Sequence, residues 1–224
     1  MHIPDGFIDI PTSVAFAGLA ATGVAISLKG ARSSLDEKTA PLAGLTATFI
    51  FAVQMLNFPV AAGTSGHLIG AALAAVLVGP WAATLALTVV LIMQAFLFAD
   101  GGITALGLSI FNMSVISVWV GYGVFLLVKK ILPKTKASIV IASGIGALIS
   151  VPAAALGFTL QYAIGATGTF SVTSVLSAMV GTHVLIGIGE AIITGLTVSA
   201  VIASRSDLVY GWKDSKTQLE IRHG

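Results

Sequence analysis

Four histidines, at positions 2, 67, 183 and 223, and the absence of any cysteine set the metal chemistry open to this chain. Disulfides, thiolate metal sites and cysteine nucleophiles are excluded, which leaves imidazole, carboxylate, thioether and backbone atoms as donors. His2 stands out because it follows Met1. The two residues together offer three nitrogens: the Met1 α-amine, the His2 amide and the His2 imidazole. Through a metal, amine and amide close a five-membered ring, and amide and Nδ1 close a six-membered ring, both low in strain. A strong-field divalent ion can displace the amide proton, and square-planar nitrogen ligation of this kind suits Ni2+ or Cu2+. One in-plane position stays open, and His67 is the candidate to fill it. No fixed spacing ties His67 to the terminus, so a histidine that merely caps a helix is the competing explanation. His223, penultimate in a polar tail, reads as solvated and idle.

A second pair lies deep in apolar sequence. His183 and Glu190 are seven residues apart, so they share a helical face about 10 Å apart along the axis. Gly187, Ala191, Gly195, Ser199 and Ala203 follow at steps of four, a row that permits close helix contact. Ionisable groups inside a membrane span are functional candidates by default. This pair could serve as a proton relay, cation path or metal site, or simply as buried polar glue between two helices. In a self-contained proton- or ion-coupled permease Glu190→Gln would stop transport, whereas metal binding by Met1, His2 and His67 would survive it nearly intact. Asp100, ahead of Gly101-Gly102, either orients a ligand histidine as its hydrogen-bond acceptor or makes a turn. Gln54, Gln94 and Asn112 read as interhelical hydrogen-bond donors, and Met55, Met93 and Met113 as packing residues. No GxxxxGK[ST] phosphate loop and no HExxH occurs, so neither ATP hydrolysis of that kind nor that metal-hydrolase chemistry resides here.

The elements that must position these groups are apolar. Of 224 residues, 56% are hydrophobic and 9% charged, and no charged side chain occurs for 61 residues after Lys38 or for 53 residues after Lys136. A soluble domain carries about 25% charged residues, so the solvent here is a bilayer, whose core takes roughly 20 apolar residues per helix. The pattern predicts an all-α integral membrane protein, a bundle of about seven transmembrane helices. The spans run from Pro11 to Leu28, Ala40 to Phe58, His67 to Val78, Trp81 to Phe98, Thr104 to Val128, Ala137 to Tyr162 and Ser171 to Ser204. The last is long enough to require a tilt, a break or a helical lead-in. Residues 1–204 form one transmembrane domain, with 1–10 as a metal-binding segment, and residues 205–224 form a cytoplasmic tail. Met1 precedes no positively charged run, so the N-terminus is expected to be retained. All eleven Lys and Arg fall in the loops after the first, fifth and last spans or in the tail. The positive-inside rule therefore puts the N-terminus outside with the Thr64–His67 turn and Asp100, and the C-terminus in the cytoplasm. The basic residues are explained by topology, not by nucleic acid.

The opening Met1-His2-Ile3-Pro4-Asp5-Gly6-Phe7 resembles the start of the CbiM/NikM family, the substrate-binding membrane subunits of energy-coupling factor transporters for cobalt and nickel. The segments Gly63-Thr64-Ser65-Gly66-His67-Leu68-Ile69-Gly70, Ala99-Asp100-Gly101-Gly102 and Gly181-Thr182-His183 are similar as well, and the likeness covers essentially the whole chain. The resemblance implies a seven-helix subunit of a prokaryotic cell membrane that captures Ni2+ or Co2+ from outside, as in supply for cobalamin biosynthesis. Its ligands would be the Met1 amine, the His2 amide and imidazole, and His67. It also implies a transmembrane coupling subunit, two ABC-type ATPases that hydrolyse ATP on the chain's behalf and a small accessory membrane protein as partners. The metal is substrate, with no organic cofactor and no enzyme activity. The four-nitrogen plane favours nickel.

Overall fold

The computed structural model describes residues 1–34, 39–60 and 65–213. His223, the charged residues Asp36, Glu37 and Lys38, and Gly63-Thr64 lie outside the described residues. Nine α-helices run in order among them: α1 (Ile10–Ser34), α2 (Thr39–Gln54), α3 (Ala71–Val78), α4 (Pro80–Phe98), α5 (Leu106–Ile110), α6 (Ser117–Ile131), α7 (Lys136–Gly165), α8 (Val172–Ser204) and α9 (Tyr210–Lys213). A π-helical stretch, Phe111–Ile116, welds α5 to α6 into one rod. A short antiparallel ladder pairs β1 (Phe58–Pro59) with β2 (Ser65–Gly66).

Five of these rods are long and apolar enough to cross a bilayer: Ile10–Arg32, Pro80–Phe98, Leu106–Ile131, Lys136–Gly165 and Val172–Ser204. The expected second and third spans fall short of that length. Helix α2 ends at Gln54, not Phe58, because the chain turns into the β1 strand. Helix α3 has eight residues, about 12 Å at 1.5 Å per residue, and residues 67–70 ahead of it are not helical. Apolar composition alone predicts helix there, whereas the backbone is irregular and enters a half-length helix at Gly70, whose φ is +76°. The last span carries no break: α8 is one continuous helix of 33 residues.

Helix α3 forms the centre. All eight of its residues are buried, and it packs against α2, α4, α6, α7 and α8. The outer faces are apolar as well. Val14, Leu45, Leu127, Leu185 and Leu196 are each about two-thirds exposed, as suits side chains solvated by lipid tails rather than water. Polar pairs fix helix registers inside this apolar mass. Asn112 Nδ2 donates to Gln161 Oε1 at 2.7 Å, and Gln161 Nε2 donates back to Asn112 Oδ1 at 3.0 Å, both side chains fully buried. Of the three polar residues singled out in the sequence, Asn112 and Gln54 donate hydrogen bonds. Both side-chain polar atoms of Gln94 are buried without a partner among the described residues.

The amide pair makes a prediction. Asn112→Leu strands the Gln161 amide in hydrocarbon and should cost about 1–2 kcal/mol of stability. Adding Gln161→Met to the same chain should recover part of that loss. Reversible unfolding in mixed micelles, compared across the two single variants and the double variant, measures the coupling.

Candidate metal centre

The first three residues do not trail from α1; they are buried in the bundle. Met1 and Ile3 are fully buried and His2 is 5% exposed. Backbone pairing holds them there: Ile3 N–H donates to Ser109 Oγ at 3.3 Å, and Gly102 N–H donates to the Ile3 carbonyl at 2.8 Å. The fold-back is made by a turn in which Phe7 N–H bonds the Pro4 carbonyl at 3.3 Å. Asp5 Oδ1 pins the turn by accepting from Thr104 N–H at 2.7 Å and from the Thr104 hydroxyl, bonds that hold its carboxyl below the usual pKa. Phe7 then packs on Phe158 and Tyr162, with ring centroids 5.8 and 5.1 Å away. Asp9 caps α1, its Oδ1 accepting from Thr12 N–H at 2.8 Å, the arrangement an N-cap aspartate provides.

This folding brings His2 against His67. Their rings stack with centroids 4.8 Å apart and an interplanar angle of 27°. His67 is fully buried, and its Nδ1–H donates to the Leu68 carbonyl at 2.8 Å. That bond leaves the lone pair on Nε2, which is buried and has no partner among the described residues. On the other ring, His2 Nε2 lies 3.5 Å from Asp100 Oδ2. This is longer than a good hydrogen bond, yet it points Nε2 toward a carboxylate and leaves Nδ1 for chelation. Asp100 is itself held by Asn57 Nδ2 at 3.0 Å. Gly101 makes room for the imidazole: its φ is +94°, and a Cβ there would lie 3.0 Å from His2 Nδ1. A cleft of about 280 Å3 lined by His2, Pro4, Asp5 and residues 99–102 opens onto the His2 side.

Burial keeps these groups uncharged. Burial lowers the Met1 amine from 8.0 to about 4 against the opposing pull of Asp100, and burial together with the nearby amine lowers His2 from 6.5 to about 3. His67 is driven well below its ordinary value by burial, then by the Met1 amine and His2, with a smaller contribution from His183. Desolvation raises the Asp100 carboxyl, partly offset by the amine and by Asn57. Neutral amine and neutral imidazole are the forms that bind metal. Among the described residues, no three His, Asp or Glu side chains gather into a metal cage. The buried Met1 amine is near enough to act electrostatically on both rings.

The other two sequence candidates, His183 and Glu190, do not pair with one another. His183 Nδ1–H donates to the Met179 carbonyl at 2.7 Å, which leaves a buried Nε2 with no partner among the described residues. Glu190 does not bond His183. Its two carboxylate oxygens accept from Ile69 N–H at 2.7 Å and Gly70 N–H at 2.9 Å, beside a void of only about 10 Å3, no more than one water needs. Because Ile69 follows His67 by two residues, Glu190 is not independent of the His67 site, and Glu190→Gln is not the clean discriminator the sequence suggested. Sequence reasoning missed Asn57, Thr104 and Ser109, whose short polar side chains act through contacts that no spacing encodes.

The fold defines a multi-pass membrane protein with a buried, nitrogen-rich centre reached from one end of the bundle. A family model described as the cobalt uptake substrate-specific transmembrane region, CbiM, matches residues 2–208. The chain belongs to this family, whose members are components of nickel and cobalt transport and not enzymes. It is 32% identical over 216 residues to the cobalt transport protein CbiM of Sorangium cellulosum, covering 93% of this chain and 94% of that one. It is 33% identical over 222 residues to the fused nickel transport protein NikMN of Rhodobacter capsulatus, covering 93% of this chain and 64% of that longer protein. A crystal structure of a truncated transition metal transporter superposes with a TM-score of 0.84 at 34% identity, over 91% of this chain and 99% of that chain.

Acid should loosen the buried terminus. A released segment titrates near 8.0 at the amine and 6.5 at His2, whereas the docked groups titrate at about 4 and about 3. The released state thus binds more protons between these limits, so docking is fully favourable above pH 8 and weakens as pH falls toward 4. Exchange protection of the Ile3 and Gly102 amides in metal-free protein, corrected for intrinsic pH dependence, should fall over that interval and stay flat above it.

Proposed function

We propose that this chain is the substrate-binding component of an energy-coupling factor importer that captures Ni2+, or Co2+, through the Met1 amine, the His2 amide and Nδ1, and His67 Nε2. The observation that carries the reading is the convergence of a fully buried amine and two stacked imidazoles, with the His67 Nε2 lone pair unpartnered. A dication is prohibitively costly in hydrocarbon unless its water shell is replaced. Four nitrogens replace the in-plane waters, and an ionised amide reduces the net charge by one. The nearby Asp100 carboxylate, 3.5 Å from His2 Nε2, favours what positive charge remains. A four-nitrogen plane favours nickel over cobalt.

The N-terminus and the cleft over His2 face outward in this reading, and the C-terminus faces the cytoplasm. The placement of every Lys and Arg in alternate loops or the tail supports that orientation. Transport then needs a transmembrane coupling subunit and two ATPases, with a small accessory membrane protein. The sequence has no phosphate loop of its own, and the name of the Rhodobacter relative records fusion of such a component to another. The rival, a permease working through His183 and Glu190, is disfavoured by the full engagement of both Glu190 oxygens and the tiny void beside them.

Moving the amine tests the donor set. One added residue is the wrong choice, because amine, two amides and the histidine then third in the chain would form a four-nitrogen chelate without His67. Three residues placed ahead of Met1 displace the amine and cannot be accommodated where Met1 is fully buried. Nickel affinity of the purified chain should drop at least about 100-fold, roughly 2.8 kcal/mol, and the yellow absorption of planar diamagnetic Ni2+ should vanish. Wild-type affinity and spectrum in the extended chain would overturn the reading.

A further inference from the structure

We propose that Glu190 is the positioning residue of the metal centre, its carboxylate clamping the unwound segment before α3 to α8 so that His67 is held facing the Met1–His2 nitrogens. The inference rests on the reading of His67 as a donor.

A non-helical segment inside an apolar bundle has no water to satisfy its peptide groups, so each N–H and C=O must find a partner in the protein. Residues 67–70 face this requirement between β2 and α3. The Ile69 and Gly70 N–H groups point the same way and reach the two oxygens of one carboxylate, Oε2 at 2.7 Å and Oε1 at 2.9 Å. The opposite side is fixed too: the Ile69 carbonyl accepts from Gln54 Nε2 of α2 at 2.7 Å. Ile69, Gln54 and Glu190 are all essentially excluded from solvent. Gly70 then turns into the helix at φ +76°, where a Cβ would meet Ile50 Cγ1 at 2.9 Å. Residues 69 and 70 are thus gripped by side chains from two helices and by the shape of a third contact. His67, two peptide units upstream, inherits that fixed position.

The choice of a carboxylate follows from what must be bound. A hydroxyl or a single carbonyl cannot accept from two adjacent N–H groups at 2.7 and 2.9 Å with separate atoms, whereas Glu can. Hydrogen bonds from N–H to an ionised acceptor are also about twice as strong as neutral ones. The group sits at the N-terminal end of α3, where the helix dipole favours negative charge. With both oxygens used and about 10 Å3 of space beside them, Glu190 has room for neither a passing ion nor a water chain. Since Glu190 belongs to α8 and Gln54 to α2, the clamp ties metal affinity to how those two helices sit about the His67 segment.

The test is nickel titration of the full chain in detergent, reading affinity and the visible band, with thermal unfolding of each metal-free variant alongside. Glu190→Gln keeps the volume but turns one N–H acceptor into an NH2 group. It should weaken nickel binding by about tenfold or more, the range seen when groups that orient a metal ligand are lost, with a shifted band. Glu190→Asp, still a carboxylate, should restore part of the affinity and of the band. Gln54→Met removes the other brace without cutting the volume and should move affinity and band in the same direction, which keeps the proposal testable if Glu190→Gln fails to fold. His67→Ala is the control. If it loses the band while Glu190→Gln and Gln54→Met bind as wild type, the clamp is refuted and the donor set stands. If His67→Ala itself binds as wild type, the donor set fails and the clamp with it.

Discussion

Burying the chain's own amine in an uncharged form is the constraint on which the rest of this structure depends. An ammonium in the interior would lose its hydration at a cost of several kcal/mol, and burial lowers the Met1 amine and the His2 imidazole alike. The fold meets the cost by holding the terminus in place with backbone pairing, ring packing and one carboxylate outside the apolar interior. Ile3 is paired through both its N–H and its carbonyl, Phe7 is wedged against Phe158 and Tyr162, and Asp5 fastens the turn on the wet side through Thr104. The partners lie in the loop at residues 102–104, in α5 and in α7. The position of the amine is therefore a property of the assembled bundle, not of residues 1–10 taken alone.

The same economy of polar groups explains the interior. Apolar helices in lipid gain little from hydrophobic contact with one another, so packing of small residues and a few hydrogen bonds decide how they sit. Asn112 and Gln161 lock the α5–α6 rod to α7, close to where the rod passes through its π-helical stretch. Gln54 and Glu190 lock α2 and α8 to the irregular segment ahead of α3. Each brace lies where a backbone group or an amide would otherwise be stranded. The buried polar residues therefore mark the places where regular helix stops being sufficient, and the most heavily braced of these is the irregular segment that carries His67.

Hydropathy and charge placement made the main rods legible: the limits of α4, α7 and α8 fall within a few residues of the apolar blocks that announced them. The stretch from His67 to Val78 was not legible as it is. Its apolar composition does not reveal that residues 67–70 stay outside the helix, where the N–H groups of Ile69 and Gly70 are bound by a carboxylate about 120 residues away. Glu190 illustrates the converse. Its burial and rarity announced that it matters, but its seven-residue offset from His183 suggested a partner on its own helix, whereas the groups it binds come from the chain before α3. Met1 and His2 were readable because a chelate of adjacent backbone and side-chain atoms is local chemistry. Asn57, which holds Asp100 from 43 residues away, was not.

The stacked rings carry a further consequence for how the proposed donors share one ion. Two imidazoles whose centroids lie 4.8 Å apart at 27° present their faces to one another, whereas an ion bound by both must lie near the plane of each. The rings have to open about their side-chain bonds before both lone pairs aim at one point. The two rings are not equally free to do so. His2 has the glycine turn at 101–102 on one side and the cleft on the other, so it can turn without displacing a Cβ and can shorten its 3.5 Å approach to Asp100 as it turns. His67 is tied through Nδ1 to its own neighbour's carbonyl and through Ile69 to α2 and α8. The asymmetry assigns the motion to the terminal histidine and the reference position to the buried one. It also gives a physical reason for one proposed donor to lie on a terminus under an open cleft and the other on a segment braced from both sides.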